Sequence, residues 1–145
     1  MITVKDILSE KGRNVWKISP DAKVFDALKL MAEKKIGALV VFENDDVVGM
    51  ISERDYARKI ALMGRHSQDT TVRDIMTSPV YGVHLDTTAE ECMALMTDKH
   101  IRHLPVCKDE KLAGVISIGD VVKAIIIQQK VTIENLENYI MGKYQ

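Results

Sequence analysis

A chain of 145 residues with 46% hydrophobic and 28% charged residues has the composition of one folded domain, or of two small ones sharing a core, and not of a disordered segment. A formal net charge of −1 gives no global attraction to nucleic acid or to an anionic membrane. Only 5% of the residues are aromatic, so the core has to be aliphatic.

The charged start, Met1-Ile2-Thr3-Val4-Lys5-Asp6, is unlike a secretory signal. The two cysteines, Cys92 and Cys107, form no CxxC pair and read as reduced thiols. Apolar runs such as Ala124-Ile125-Ile126-Ile127 are too short to span a bilayer. A soluble cytoplasmic protein is expected.

In chain order, Val4-Lys5-Asp6-Ile7-Leu8 is a short amphipathic segment that Gly12 breaks. Residues 14–18 alternate like a short strand. After Ser19-Pro20-Asp21, residues 24–35 carry Val24, Leu28, Met31 and Ala32 on one helical face, and Gly37 is expected to end that helix. The continuous apolar run 38–42 reads as a buried strand. An acidic turn, 43–46, leads to a second strand, 47–51. Ser52 then opens a helix to about Met63, with Tyr56, Ile60 and Met63 facing inward and Gly64 closing it. Residues 65–71 are polar and read as a linker.

The pattern then restarts. Residues 18–60 align with 83–125 at a constant offset of 65, without a gap over 43 positions. Twelve pairs are identical, among them Asp21/Asp86, Gly49/Gly114, Ser52/Ser117 and Asp55/Asp120, where chance gives about three. The opening segments, Val4–Leu8 and Val72–Met76, align at offset 68, so the first copy carries three extra residues near Lys11-Gly12-Arg13-Asn14. Such a duplication predicts two strand–helix–strand–strand–helix units that bury their sheets against each other about a pseudo-twofold axis, an α/β (α+β) fold. The expected division is 1–68, 69–131, and a tail, 132–145, whose Ile133, Leu136 and Ile140 have the spacing of a short separate helix.

Each unit has one strand-to-helix junction of the same form: Gly49-Met50-Ile51-Ser52-Glu53-Arg54-Asp55 and Gly114-Val115-Ile116-Ser117-Ile118-Gly119-Asp120. Ser followed three residues later by an acid is close to a capping box, and helix capping alone explains both copies. The same place also suits a ligand. A helix N-terminus with a hydroxyl can seat a phosphate, and a carboxylate, which only accepts, suits a pair of adjacent hydroxyls. A ribose diol beside a phosphate meets both conditions, with the glycines letting the strand come close.

The doubled junction, together with Ile101-Arg102-His103-Leu104-Pro105-Val106, resembles the tandem cystathionine-β-synthase (CBS) domain pair over nearly the whole chain, residues 4–130. That resemblance implies two CBS repeats packed as one module, a homodimeric disc, and adenine ligands (AMP, ADP, ATP, sometimes NAD or S-adenosylmethionine) in clefts between repeats. It implies a regulatory, energy-sensing module acting on an effector protein of unknown identity, and not an enzyme. By the resemblance, Asp120 holds a ribose diol beside Ser117, with Trp16, Ile36, Gly37 and Ala38 completing that cleft. The related cleft uses Ser52, Arg54 and Asp55, completed by Met76, Thr77, Tyr81, Arg102 and His103. So grouped, the Asp55 cleft is the more basic and should prefer the ligand richer in phosphate.

The rest of the sequence offers little competing chemistry. His100, His103 and Cys107 fit no zinc spacing. There is no GxGxxG, P-loop or nucleophile elbow, and no acid–base–nucleophile set at the junctions, which excludes the common catalytic signatures and any resident cofactor or metal they would require. A structural dimerisation module that binds nothing, and an S-adenosylmethionine sensor, stay open as alternatives.

Overall fold

The duplication is carried into the backbone most closely in the hairpin of each repeat. The computed structural model of the chain describes residues 1–78 and 80–142. It has two compact units, one running from Asn14 to Tyr81, the other joining Met1–Arg13 to the chain from Gly82 onward.

The Asn14–Tyr81 unit contains β1 (Lys17–Ile18), α2 (Val24–Lys34), β2 (Ala38–Glu43), β3 (Asp46–Ser52), α3 (Glu53–Tyr56) and α4 (Val72–Ile75), after α1 (Val4–Lys11) of the other unit. β1 pairs in parallel with β2, and β2 pairs antiparallel with β3. A helical crossover joins the parallel pair and a two-residue hairpin joins the antiparallel one, as their geometries require. In that hairpin Asn44 and Asp45 both take positive φ, which the primed turns between twisted strands need. Val24, Ala27, Met31, Leu39, Val41, Ile51, Ile60, Val72 and Ile75 form one aliphatic core.

The other unit repeats this at offset 65. It holds α1, α5 (Ala89–Lys99), β4 (His103–Lys108), β5 (Lys111–Ser117) and α6 (Ile118–Ile140). The pairs Ala38↔Ser52 and Val41↔Gly49 become His103↔Ser117 and Val106↔Gly114. The bulge between Val41 and Phe42 reappears between Val106 and Cys107. In place of β1 there is a single parallel bridge, Val83↔Val106.

Four features differ from the expected pattern or add to it. First, the compact units are not the sequence repeats themselves, because the opening segment of each repeat packs in the other unit. α1 packs with the later repeat: Val4, Ile7 and Leu8 join a core with Val83, Cys92, Met96, Leu104, Ile116 and Val121. The N–H of Val4 donates to Thr87 O (2.8 Å) and that of Lys5 to Leu85 O (2.9 Å). In the same way α4 packs with the earlier repeat, the N–H of Val72 donating to Ala22 O (2.8 Å) and that of Arg73 to Pro20 O (2.9 Å). The two opening segments have thus exchanged places. Both carry the same Val–x–x–Ile pattern, which does not encode which of two similar cores it enters.

Second, the residues beyond 131 are not a separate helix. α6 runs unbroken to Ile140, because no Gly or Pro falls between Asp120 and Met141 to stop it. Third, Lys35, not Gly37, ends α2, taking the left-handed conformation (φ 56°) with His100 as its counterpart on α5. Fourth, α3 passes into a π-helical turn, Ala57–Ala61, and Met63, expected to face inward, is 70% exposed. Ala32 is also exposed. Among the described residues no helix is long and apolar enough to cross a membrane.

Candidate functional site

Both junctions are built by capping. Ser52 is the N-cap of α3: its N–H donates to Asp55 Oδ2 (2.9 Å), and the Asp55 N–H donates to its hydroxyl (3.3 Å). Ser117 caps α6 in the same way, with Ser117 N–H to Asp120 Oδ2 at 2.8 Å and Asp120 N–H to Ser117 Oγ at 3.2 Å. This satisfies first-turn donors that a helix cannot satisfy itself, and it fixes the carboxylate at the positive end of the helix dipole.

The glycines are explained by close approach. A Cβ on Gly49 would lie 2.8 Å from Met76 Sδ and 3.0 Å from the Thr77 carbonyl oxygen. One on Gly114 would lie 2.9 Å from Leu8 Cδ2. Leu8 and Met76 hold corresponding places in the exchanged segments, so each segment closes over its junction's glycine.

Around Ser52 and Asp55 the fold gathers Gly37, Ala38, Met76 and Thr77. The Glu53 N–H donates to Gly37 O (3.1 Å), and Ala38 stands opposite Ser52. Thr77 bridges to Met50 and donates from its hydroxyl to Asp55 Oδ1 (3.3 Å). Lys59 also reaches Asp55 Oδ1 (3.3 Å) while donating to Ile75 O (2.8 Å). Both Asp55 oxygens are therefore engaged. Arg54 is half-buried on α3 and Tyr81 is 41% exposed at the end of the unit. Ile36 packs against the core, and Trp16 is 39% exposed with Lys34 Nζ 4.3 Å above its ring.

Around Ser117 and Asp120 the fold gathers Arg102, His103 and Lys11. The Ile118 N–H donates to Arg102 O (2.8 Å), and His103 stands opposite Ser117. Lys11 Nζ donates to Asp120 Oδ2 (2.6 Å) and to Val115 O (2.8 Å). Among the described residues Oδ1 of Asp120 takes no such bond. A groove of about 610 Å³ opens here, with Ile2, Asp6, Lys11, Asp120, Lys123 and Ile127 among its walls.

The electrostatics follow from these contacts. Burial alone would raise the Asp120 pKa, but the hydrogen bonds from Lys11 and Ser117 outweigh it and hold the carboxyl below its ordinary value. His103 is depressed by burial first and by the charge of Lys11 second; Asp120 opposes and Arg102 adds. Its imidazole is therefore neutral at pH 7. Burial pushes the Cys92 thiol up to about 11, which makes it inert. Among the described residues no three His, Cys, Asp or Glu side chains are placed to hold a metal.

Within each unit some of the sequence-predicted residues come together: Gly37 and Ala38 lie beside Ser52, and Arg102 and His103 lie beside Ser117. The reason is the hairpin register, which brings the start of each unit's first hairpin strand against the end of its own second. Two contributors were missed, Lys11 and Lys59. Lys11 lies in the three-residue excess of the first opening segment, and that excess is the one sequence signal that marked it.

The family model for the CBS domain matches residues 4–62 and 72–127. Among curated relatives, a CBS domain-containing protein of Arabidopsis thaliana mitochondria, CBSX3, is 41% identical over 152 residues, covering 98% of this chain and 73% of its own. Among solved structures, a protein with CBS domains from Burkholderia ambifaria, described as a putative signal-transduction protein, is 49% identical with a TM-score of 0.84 over 88% of this chain and 96% of its own. The CBS domain pair of protein MJ0100, solved with 5′-methylthioadenosine and S-adenosyl-L-methionine, has a TM-score of 0.77 over 88% of this chain and 98% of its own. At 22% identity it shows the likeness of fold alone.

Proposed function

The chain belongs to the CBS domain family, and from that premise we propose that it is a non-catalytic regulatory module whose junctions bind an adenine nucleotide: AMP, ADP, ATP or NAD. The observation that carries this reading is the pairing of Asp120 with Lys11 at 2.6 Å beside an open groove. Asp120, with Oδ1 uncommitted, accepts from a ribose diol. Lys11 swings from the carboxylate to a ligand phosphate and so keeps a counter-charge, with Ser117 and His103 alongside. At the other junction Asp55 takes the diol role and Ser52, Thr77, Lys59 and Arg54 face the rest of the ligand. Trp16, Ile36, Gly37, Ala38, Met76, Tyr81 and Arg102 complete the proposed binding set.

The ligand acts by binding one conformation more tightly than another, and the bias leaves through self-association or an effector protein. The cytoplasm is the proposed setting.

One observation favours a second reading. Both junctions hold complete capping boxes, so a module that binds nothing and serves only assembly needs no further role for Ser or Asp. Titration calorimetry against AMP, ADP, ATP, NAD and S-adenosylmethionine separates the two. Wild type is expected to bind at least one phosphorylated adenine ligand, and Asp120→Asn to weaken it at least tenfold, about 1.4 kcal/mol. Absence of binding at millimolar ligand would overturn the nucleotide reading, and binding of S-adenosylmethionine alone would redirect it.

A further inference from the structure

α6 extends beyond the family match, which ends at residue 127, to Ile140. From Gln129 to Ile140 every residue is exposed except Asn138, which is half-buried. A helical extension of that length, without packing, is marginal in water. Its composition is nevertheless not that of a solvated helix. Val122, Ile126, Gln129, Ile133, Leu136 and Ile140 recur at alternating steps of four and three, which places them on one stripe of the helix. The five apolar members are 39%, 46%, 55%, 57% and 81% exposed.

The flanks of this stripe differ in charge. One side carries Lys123, Lys130, Glu134 and Glu137, basic toward the start of the helix and acidic toward its end. The other side carries Ile125, Thr132 and Tyr139 and no charge. A parallel pair of such helices would set the charged flank of each against the uncharged flank of the other. An antiparallel pair sets the two charged flanks together, with Lys123 and Glu137 opposed at both ends and the two Lys130 side chains meeting near the middle, each with a Glu134 beside it.

We propose that this stripe is the docking surface for α6 of a second copy of the chain, packed antiparallel. Val122 then faces Ile140 of the partner subunit, Ile126 faces Leu136 of the partner subunit, and Gln129 faces Ile133 of the partner subunit, all about one centre near residue 131. Lys123 lies against Glu137 of the partner subunit, and Lys130 within reach of Glu134 of the partner subunit. The two Gln129 amides fall on either side of the twofold, roughly 6 Å apart along the axis, and bond across it. A slipped register would bury an amide against isoleucine without a partner, so the single polar residue fixes the alignment.

The inference is independent of nucleotide binding, and its test reads self-association. In sedimentation velocity the wild-type chain is expected to be a dimer. Leu136→Glu is expected to be monomeric at the same concentration, with a cooperative urea unfolding transition as evidence that the unit is folded. Glu137→Lys should weaken the dimer about tenfold, and Lys123→Glu added to it should restore it. In a Cys107→Ser background, copies carrying Ile126→Cys mixed with copies carrying Leu136→Cys should form a mixed disulfide, and Ile126→Cys alone should form none. A monomeric wild type, a dimer indifferent to Leu136→Glu, or self-linking of Ile126→Cys, which signals a parallel pair, would each overturn the proposal.

Discussion

The two junctions share a backbone and differ in what stands around their carboxylates. Asp55 is enclosed, with both oxygens engaged by Ser52, Thr77 and Lys59. Among the described residues Asp120 is bridged on one oxygen only, by a lysine that arrives from 109 positions away in sequence. Identical motif residues therefore do not make equivalent sites. What differs is contributed by the exchanged opening segments, with Lys11 of α1 at one junction and Thr77 just beyond α4 at the other, and by Lys59, whose counterpart in the later repeat is Ala124. The proposed preference is accordingly the reverse of the one read from sequence, with the junction at Asp120 the readier to take a phosphate.

The contrast can be broken at several levels of energy. The largest effect is expected at the residues that close over the glycines. Leu8 is 1% exposed, so Leu8→Ala should cost about 2–5 kcal/mol of unfolding free energy in urea. Met76 is only half-buried, and Met76→Ala should cost clearly less. Next, Gly49→Ala presses on a backbone oxygen at 3.0 Å and should lose about 1–3 kcal/mol. Gly114→Ala presses only on the branched tip of Leu8 and should be the milder of the two. Equal losses at the two glycines would show that the junctions close alike.

Removing the caps, Ser52→Ala or Ser117→Ala, should cost about 1 kcal/mol each by thermal melts. Lys11→Met should leave stability nearly unchanged, since an exposed ion pair contributes about 0–1 kcal/mol, yet weaken a phosphorylated ligand more than its nucleoside. Equal weakening of both would remove Lys11 from the phosphate.

The smallest effect is on pH dependence. The His103 pKa is lowered below 6.5 in the folded chain, so the unfolded chain takes up the proton first on acidification. Stability should therefore fall as pH drops below about 6.5 toward the depressed value, and His103→Gln should flatten that limb. The corresponding position of the other repeat is Ala38, which contributes nothing of the kind.

Much of the fold was legible in sequence because it is written locally. The apolar runs 38–42 and 47–51, the acidic turn 43–46 between them and the offset of 65 were enough to give the hairpin of each unit. The pairing of Ser52 with Asp55 is likewise a three-residue signal. The misread features depend on distant or graded information. The exchange of α1 and α4 turns on a choice between two similar cores. The placement of Gly37 and Ala38 beside Ser52 follows from hairpin register, a relation between residues about 15 positions apart. The end of α6 had no breaker to read, and the spacing of Ile133, Leu136 and Ile140 is the same whether the helix begins at 118 or at 132.

The exchange of opening segments also sets an order of assembly. Asn14–Tyr81 is a continuous stretch and can close as soon as it is made. Val4, Ile7 and Leu8 precede it, yet they are buried only with Leu104, Ile116 and Val121, and Lys11 meets Asp120 only after a further 109 positions. At about 5–20 residues per second of synthesis, that interval is roughly 5–20 s. During that time α1 has no core to enter, and non-local closure of this kind slows folding. The three apolar residues of α1 thus stay unpacked until the later repeat is made.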